Sequence, residues 1–230
     1  MTATKASYSL IAIDQAAPEA AEQGFGLGTS PGRPGRVYLR RDLGINSFGV
    51  NAFYQGVAGE PVIGEHDELG PGANRHEELY VVVAGNCTFT VDGETVEAPL
   101  GTALFVADPA SKRSAVANVE GTTVLCVGGR PGEAFEQSAN EAISDFFPLY
   151  REKDYAGALA ACRKGLETHP HNPLVLYNVA CLEALVGNTD AAWEPLREAL
   201  ESRPAFKELA AKDTDLDALR DDPRFQPLLA

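Results

Sequence analysis

Two histidines and two glutamates lie close together in the sequence, with a spacing that could build a single binding site. His66 and Glu68 are two positions apart, and so are His76 and Glu78. Residues two apart on a strand point to the same face of a sheet. Imidazole and carboxylate groups that converge could hold Zn²⁺, Fe²⁺, Ni²⁺ or Mn²⁺. The alternative is that all four are exposed residues of a loop rich in glycine and proline.

Glu78 is the most informative of the four because it begins a strongly apolar run at residues 78–84. A carboxylate that points inward from such a strand needs a cation, a hydrogen-bond donor or a proton. Tyr80 would share its face. Arg113 could balance Glu78 or bind a carboxylate or phosphate of a ligand. Glu78, Tyr80 and Arg113 are therefore the ligand-binding candidates, and the alternative for Arg113 is a solvated turn.

The sequence does not indicate a catalytic residue. It contains no Gly-x-Ser-x-Gly elbow and no P-loop, and no Ser/His/Asp spacing stands out. Its four cysteines are widely spaced and form no Cys-x-x-Cys pair. We therefore expect four unpaired, buried thiols and a cytoplasmic location. The cysteines are Cys87, Cys126, Cys162 and Cys181.

The elements that must position the candidate residues change in character near residue 140. Of the 22 glycines, 19 precede that point, among short alternating runs rich in β-branched and aromatic residues. The later residues are poor in glycine and show helical spacing. This change predicts a β domain at residues 1–137 and an α-helical domain at residues 138–230.

Eight short runs in the first part predict strands, and Asp92-Gly93 predicts a tight hairpin between two of them. Strands this close together, without helical crossovers, favour antiparallel sheets that close into a sandwich or barrel. Residues 24–35, rich in glycine and proline, are predicted to form a loop. The predicted strands are Tyr8–Ile13, Ser47–Tyr54, Glu78–Ala84, Cys87–Val91, Glu94–Glu97, Ala103–Ala107, Ser114–Asn118 and Thr122–Val127.

Two motifs in this part resemble those of the cupin superfamily. Residues 78–85 read Glu-Leu-Tyr-Val-Val-Val-Ala-Gly, which has the Glu, six residues, Gly spacing of the first cupin motif. Residues 93–101 read Gly-Glu-Thr-Val-Glu-Ala-Pro-Leu-Gly and match the opening of the second motif. The resemblance covers about residues 45–130. It implies an antiparallel cupin-type β-barrel or jelly roll with a small molecule in its central cavity.

The same resemblance bears on the metal. Metal-binding cupins use two histidines and a glutamate of the first motif and one histidine of the second. Here the nearest candidates in the first motif are His66, Glu68, His76 and Glu78, and residues 112–114 read Lys-Arg-Ser where the last histidine is expected. The missing histidine favours a site without metal, in which Arg113 balances Glu78.

The second part resembles the tetratricopeptide repeat over about residues 138–204. Pro170 and Pro204 are 34 residues apart, which is the period of that repeat. Small residues such as Ala180 and Ala192 would let paired helices approach closely. The resemblance implies helix pairs that bind a protein partner.

Overall charge and hydropathy narrow the function further. The net charge is −14, which disfavours nucleic-acid binding, and no apolar run reaches the roughly 18 residues of a membrane span. We expect a small-molecule-binding cupin protein of sensory or accessory type, with helical repeats for protein–protein interaction. One alternative is a metal-dependent cupin enzyme, an oxygenase or isomerase. Another is an interaction scaffold whose barrel is non-catalytic and forms a homodimer.

Overall fold

The computed structural model describes residues 9–16 and 34–230. Most of the predicted loop at residues 24–35 lies outside this part of the chain, and so does Tyr8. The described chain divides into two compact units. The first contains residues 74–136 and the described residues up to 70, and the second contains residues 71–73 and 137–230.

The first unit consists of two antiparallel sheets, as the sequence predicts. The five-stranded sheet has the order β1-β2-β9-β4-β7, and the four-stranded sheet has the order β3-β8-β5-β6. A short helix, α1 (Leu39–Leu43), follows the first strand. The strands are β1 (Gly35–Val37), β2 (Gly49–Gln55), β3 (Pro61–His66), β4 (Glu77–Ala84), β5 (Asn86–Val91), β6 (Glu94–Pro99), β7 (Ala103–Val106), β8 (Arg113–Ala117) and β9 (Thr122–Gly129).

The two sheets share one apolar core. Tyr80 and Val82 of β4 are buried together with Phe89 of β5 and Ala115 of β8, so both sheets contribute to it. Alternate residues of β4, β5 and β8 are buried, which is the period-two pattern of a half-buried strand. In β4 the inward set begins with Glu78, a charged residue placed at the margin of this core.

The hairpin predicted at Asp92-Gly93 is confirmed. Val91 of β5 pairs with Glu94 of β6, and the two residues between them both have positive φ, 49° and 87°. Positive φ at both central positions is what a type I′ turn requires, and Asp-Gly satisfies it at low cost.

The strand predictions fail at two places near the N-terminal side of the unit. The predicted strand Tyr8–Ile13 is wrong, because residues 9–12 are irregular and residues 13–16 form a helical turn. Its apolar residues Ile11 and Ile13 pack instead against a cluster that includes Val50 and Ala52. Strands β1 and β3 were not predicted, since Gly35, Pro61 and Gly64 weaken their strand pattern.

The second unit is helical. Its helices are joined by short loops and enclose two apolar clusters. Ala180 and Ala192 are fully buried in one of them. No helix among the described residues has both the length and the apolar character to cross a bilayer. The elements are α2 (Ala139–Ala142), α3 (Phe146–Arg151), α4 (Tyr155–Thr168), α5 (Pro173–Leu185), α6 (Thr189–Ser202), α7 (Phe206–Ala210), a 3₁₀ helix (Thr214–Leu219) and α8 (Phe225–Leu229).

The cysteine prediction is confirmed. All four cysteines are free and buried, two in each unit. Burial raises the pKa of Cys87 to about 11 and that of Cys162 to about 12, with the charge of Glu97 adding to the rise at Cys87. Both thiols are therefore protonated at neutral pH and behave as small apolar side chains.

Gly85, which closes the first motif, is expected to be intolerant of a side chain. Its φ is 66°, and an added Cβ would lie 2.9 Å from Cα of Thr122, a backbone atom that cannot move aside. Gly85→Ala should lower the free energy of unfolding by about 2–4 kcal/mol, the sum of left-handed strain and overpacking. Gly101→Ala is the matched control, because its φ is 85° but an added Cβ would meet nothing within 4 Å. Urea unfolding should show a loss for Gly101→Ala of only about 1–2 kcal/mol; equal losses would contradict the role of the clash.

Candidate functional site

Four strands bring the candidate side chains together at one end of the core. His66 ends β3 and lies opposite Arg113, the first residue of β8. In the other sheet Glu78 lies near the start of β4, and Tyr80 lies opposite Cys126 of β9. Because the two sheets face each other, side chains from both reach a common point, which we call the Glu78 cluster. It consists of His66, Glu68, Glu78, Tyr80, Arg113 and Cys126.

Glu78 lies at the centre of this cluster. Its Oε2 accepts hydrogen bonds from the hydroxyl of Tyr80 and from Nε of Arg113, the latter at 3.2 Å. Its Oε1 accepts one from the thiol of Cys126 at 3.2 Å. A carboxylate offers about four acceptor positions, so the protein itself occupies most of those of Glu78.

Arg113 is fully buried, so the alternative of a solvated turn is wrong. Its Nη1 donates to the carbonyl oxygens of Ser111 at 2.7 Å and Pro109 at 3.3 Å. Its Nη2 lies 3.1 Å from Oε2 of Glu78, as an ion pair. However, Nη2 has no hydrogen bond of acceptable geometry to any described residue. The buried guanidinium therefore keeps donor capacity that the protein does not use.

His66 forms the partly exposed side of the cluster, and the buried Glu68 lies next to it. Nδ1 of His66 lies 2.8 Å from the carbonyl oxygen of Gly64. Because a carbonyl oxygen only accepts, Nδ1 carries the proton, and Nε2 is the nitrogen that faces the cluster. Nε2 lies 3.6 Å from Oε2 of Glu78 and 3.9 Å from Oε1 of Glu68. The His66 side chain is 34% exposed, which makes it the most accessible group of the set.

The charges of the cluster differ from those of the same groups in water. Burial alone would raise the pKa of Glu78, but hydrogen bonds with His66 and Tyr80 and the charges of His66 and Arg113 lower it to about 2. Burial and the charge of Glu78 raise the pKa of Glu68. Burial would lower the pKa of His66, but its hydrogen bonds with Glu78 and Gly64 raise it overall. At neutral pH Glu78 is an anion whose charge Arg113 balances.

Of the predicted metal ligands, the structure brings three together and leaves one apart. The ligand atoms of His66, Glu68 and Glu78 all lie within 4.8 Å of one another. Glu68 follows β3 and is not part of it. The prediction that Glu68 lies near His66 is therefore correct, but a shared strand face is not the cause. His76 is not part of the group: it precedes β4, and its ring packs against Phe135 with centroids 5.6 Å apart.

The residue types of this group suit a divalent metal ion, but the hydrogen bonds that Glu78 already accepts do not leave its oxygen free for one. The oxygen of Glu78 that lies nearest to His66 already accepts from Tyr80 and Arg113. A metal ion bound there would have a guanidinium as its immediate neighbour, since Nη2 of Arg113 lies 3.1 Å from that oxygen. The cluster therefore fits a carboxylate neutralised by the protein and does not fit a resident metal.

Cys126 is the one member of the cluster that the sequence did not indicate. Its thiol donates to Glu78, and burial together with the negative charge of Glu78 raises its pKa well above 9. The available signal was the alternation of β9, in which Val124 and Cys126 face inward and Leu125 packs on the other side. Strand order was needed to place that strand beside β4, and spacing alone does not give it.

Neither family models nor curated proteins match this chain. Solved structures similar to it include a cupin protein from Bacteroides fragilis, which is 22% identical and has a TM-score of 0.36 over 50% of this chain and 92% of that chain. KdgF from Halomonas sp. is 17% identical, with a TM-score of 0.34 over 44% of this chain and 81% of that chain. An RmlC-like cupin from Shewanella frigidimarina is 20% identical, with a TM-score of 0.30 over 38% of this chain and 70% of that chain. Two of these three structures are a cupin and an RmlC-like cupin, and each of the three matches covers half of this chain or less.

Proposed function

We propose that the first unit binds a small polar molecule at the Glu78 cluster, through an oxygen atom that accepts from Arg113. The observation that carries this proposal is Nη2 of Arg113, which is fully buried and makes no hydrogen bond of acceptable geometry among the described residues, although it lies 3.1 Å from Oε2 of Glu78. A buried donor left without an acceptor costs about 1–3 kcal/mol. An oxygen of a ligand, placed beside Arg113, would recover that free energy.

The charge balance of the cluster favours particular ligands. Glu78 already neutralises Arg113, so the guanidinium has no excess charge to attract a phosphate strongly. A hydroxyl, carbonyl or single carboxylate oxygen needs only the free donor. His66 adds a nitrogen on the accessible side and the buried Glu68 adds a carboxyl group beside it, and these suit a ligand that carries hydroxyl groups. We therefore favour small hydroxylated molecules, including hydroxy acids, as the ligand class.

A metal-dependent oxygenase or isomerase is not what the cluster supports. Such an enzyme needs a metal with open coordination positions, and the three donors here have Arg113 beside them. The helical second unit is still predicted to bind a protein partner, and the homodimer likewise stays a prediction.

The proposal can be tested by ligand-observed NMR on the full chain with a panel of neutral sugars, sugar acids and short hydroxy acids. Titration calorimetry should then measure the affinity of any binder for the wild type and for Arg113→Gln. Loss of the hydrogen bond from a charged donor should weaken binding by about 1.5–3 kcal/mol, which is roughly 10- to 150-fold.

Lys112→Gln is the matched control. Lys112 is the neighbouring cation, but its side chain is 66% exposed, and among the described residues its one ion pair is with exposed Glu65. Its replacement should leave the affinity unchanged, whereas His66→Gln should weaken it, because His66 lines the accessible side of the cluster. Equal affinity in the wild type, Arg113→Gln and His66→Gln would contradict binding at this cluster, as would the absence of any binder in the panel.

A further inference from the structure

We infer that Arg113 keeps metal ions out of the Glu78 cluster. The chain thus carries a set of possible metal ligands whose use is blocked by a guanidinium. The inference concerns the same cluster as the proposed function but goes beyond it, because it holds whether or not an organic ligand is found. The inference is that the site excludes metal ions, and titration with a metal ion alone tests it.

The donors themselves have the separation that one ion requires. Nε2 of His66 lies 3.6 Å from Oε2 of Glu78 and 3.9 Å from Oε1 of Glu68. Two ligands that each lie about 2.1 Å from a tetrahedral ion are about 3.4 Å apart. His66 is also oriented as metal-bound histidines are, with the other ring nitrogen donating to a backbone carbonyl, that of Gly64.

Arg113 opposes binding in two ways. Its Nε and Nη2 lie 3.2 and 3.1 Å from Oε2 of Glu78, so the guanidinium occupies the side of the oxygen that a metal would need. It also places a positive charge within about 5 Å of any ion bound to that oxygen, and at that distance in a buried site like charges repel strongly. The side chain is held there by the carbonyls of Pro109 and Ser111, so it cannot swing away without breaking those bonds.

The residue at position 113 therefore decides whether the cluster binds a metal ion. A neutral residue there would remove the competing charge and release the oxygen of Glu78. A histidine would in addition offer a fourth donor, a second nitrogen, from the strand that pairs with β3 at His66. Arg113→His should therefore turn a site that rejects metals into one that binds them.

The experiment measures Zn²⁺ affinity of the full chain by competition with a chromophoric chelator, and Co²⁺ binding by visible absorption. We expect no stoichiometric metal in the wild type. Arg113→His should bind one ion per chain, at least about 100-fold more tightly than the wild type, given the charge repulsion that is removed. Co²⁺ should show the absorption bands of a low-coordinate site, and Arg113→His/Glu78→Gln should lose both signals.

Circular dichroism must show that the variants fold. Where Arg113→His does not, Arg113→Gln tests the same idea, because it removes the charge without adding a donor and should bind Zn²⁺ at least about 10-fold more tightly than the wild type. A wild-type chain that takes up one ion at the Glu78 cluster, with loss in Glu78→Gln, would overturn the inference whatever the variants do. A folded variant that binds no better than the wild type would overturn it too. Neither result would alter the ligand titrations above, so the two proposals fail separately.

Discussion

Replacing Arg113 by methionine is expected to destabilise the first unit by about 3–5 kcal/mol, because it leaves the charge of Glu78 buried without its partner. Glu78→Gln should cost a similar amount, since Arg113 has no exposure to solvent that could compensate. The double variant Glu78→Gln/Arg113→Met should cost much less than the two single losses added together, because a neutral pair leaves no buried charge.

Hydrogen exchange of the β4 amides, followed in increasing urea, measures the free energy of unfolding of the first unit. Trp193, the single tryptophan, lies on α6 in the other unit, so its fluorescence reports that unit separately. Glu65→Gln/Lys112→Met and its two single variants form the control cycle: that pair is 3.7 Å apart but 70% and 66% exposed, and should contribute less than about 1 kcal/mol. A cost for Arg113→Met as small as that of Lys112→Met would show that Glu78 does not depend on the pair.

Acid is expected to remove a comparable amount of stability between pH 4.5 and pH 2. The pKa of Glu78 is about 2 in the folded chain, against an ordinary value of 4.5. A group with a lowered folded pKa contributes stability above its unfolded pKa and loses it as the pH falls through the folded pKa. The difference corresponds to about 3 kcal/mol, present in full above about pH 5 and gone near pH 2.

Glu68 acts in the opposite sense and must be separated from this effect. Its folded pKa is raised by burial and by Glu78, so its contribution is present at low pH and is lost as the pH rises above 4.5. Glu78→Gln provides the separation, because it removes the titration of Glu78 and keeps the burial of Glu68, which is the larger cause of the raised pKa of Glu68. Stability of the β4 amides should fall more steeply with acid in the wild type than in Glu78→Gln; parallel curves would show that Glu78 titrates normally.

Elements whose residues satisfy a local rule could be predicted from the sequence. The β5–β6 hairpin follows from Asp92-Gly93, because two adjacent positive φ angles are a local requirement that these residue types meet. The strand predicted at Tyr8–Ile13 is wrong because Ile11 and Ile13 bury part of their surface by packing on a cluster that includes Val50 and Ala52, without forming a strand. Strand β3 escaped prediction because it carries Pro61 and Gly64 and has two register shifts along its pairing with β8.

The sequence predicts which residues form the site better than it predicts how they are arranged. Glu78 stands out as a charge on an apolar strand, and Tyr80 follows from the period of two. The distance between Glu78 and Arg113 depends on how the two sheets face each other, and their separation of 35 positions in sequence carries no signal of it. His76 has the same spacing to Glu78 as Tyr80 has, yet it lies before the strand begins and turns toward Phe135.

The pairing of β2 with β9 determines when the five-stranded sheet can form during synthesis. β2 spans Gly49–Gln55, and its long partner, Thr122–Gly129, is also the partner of β4. During synthesis both β2 and β4 must therefore wait, with an unpaired edge each, until residue 129 has been made. Exposed strand edges of this kind are templates for pairing with other chains. The nascent chain is thus most exposed to pairing with other chains while synthesis is between residues 84 and 122.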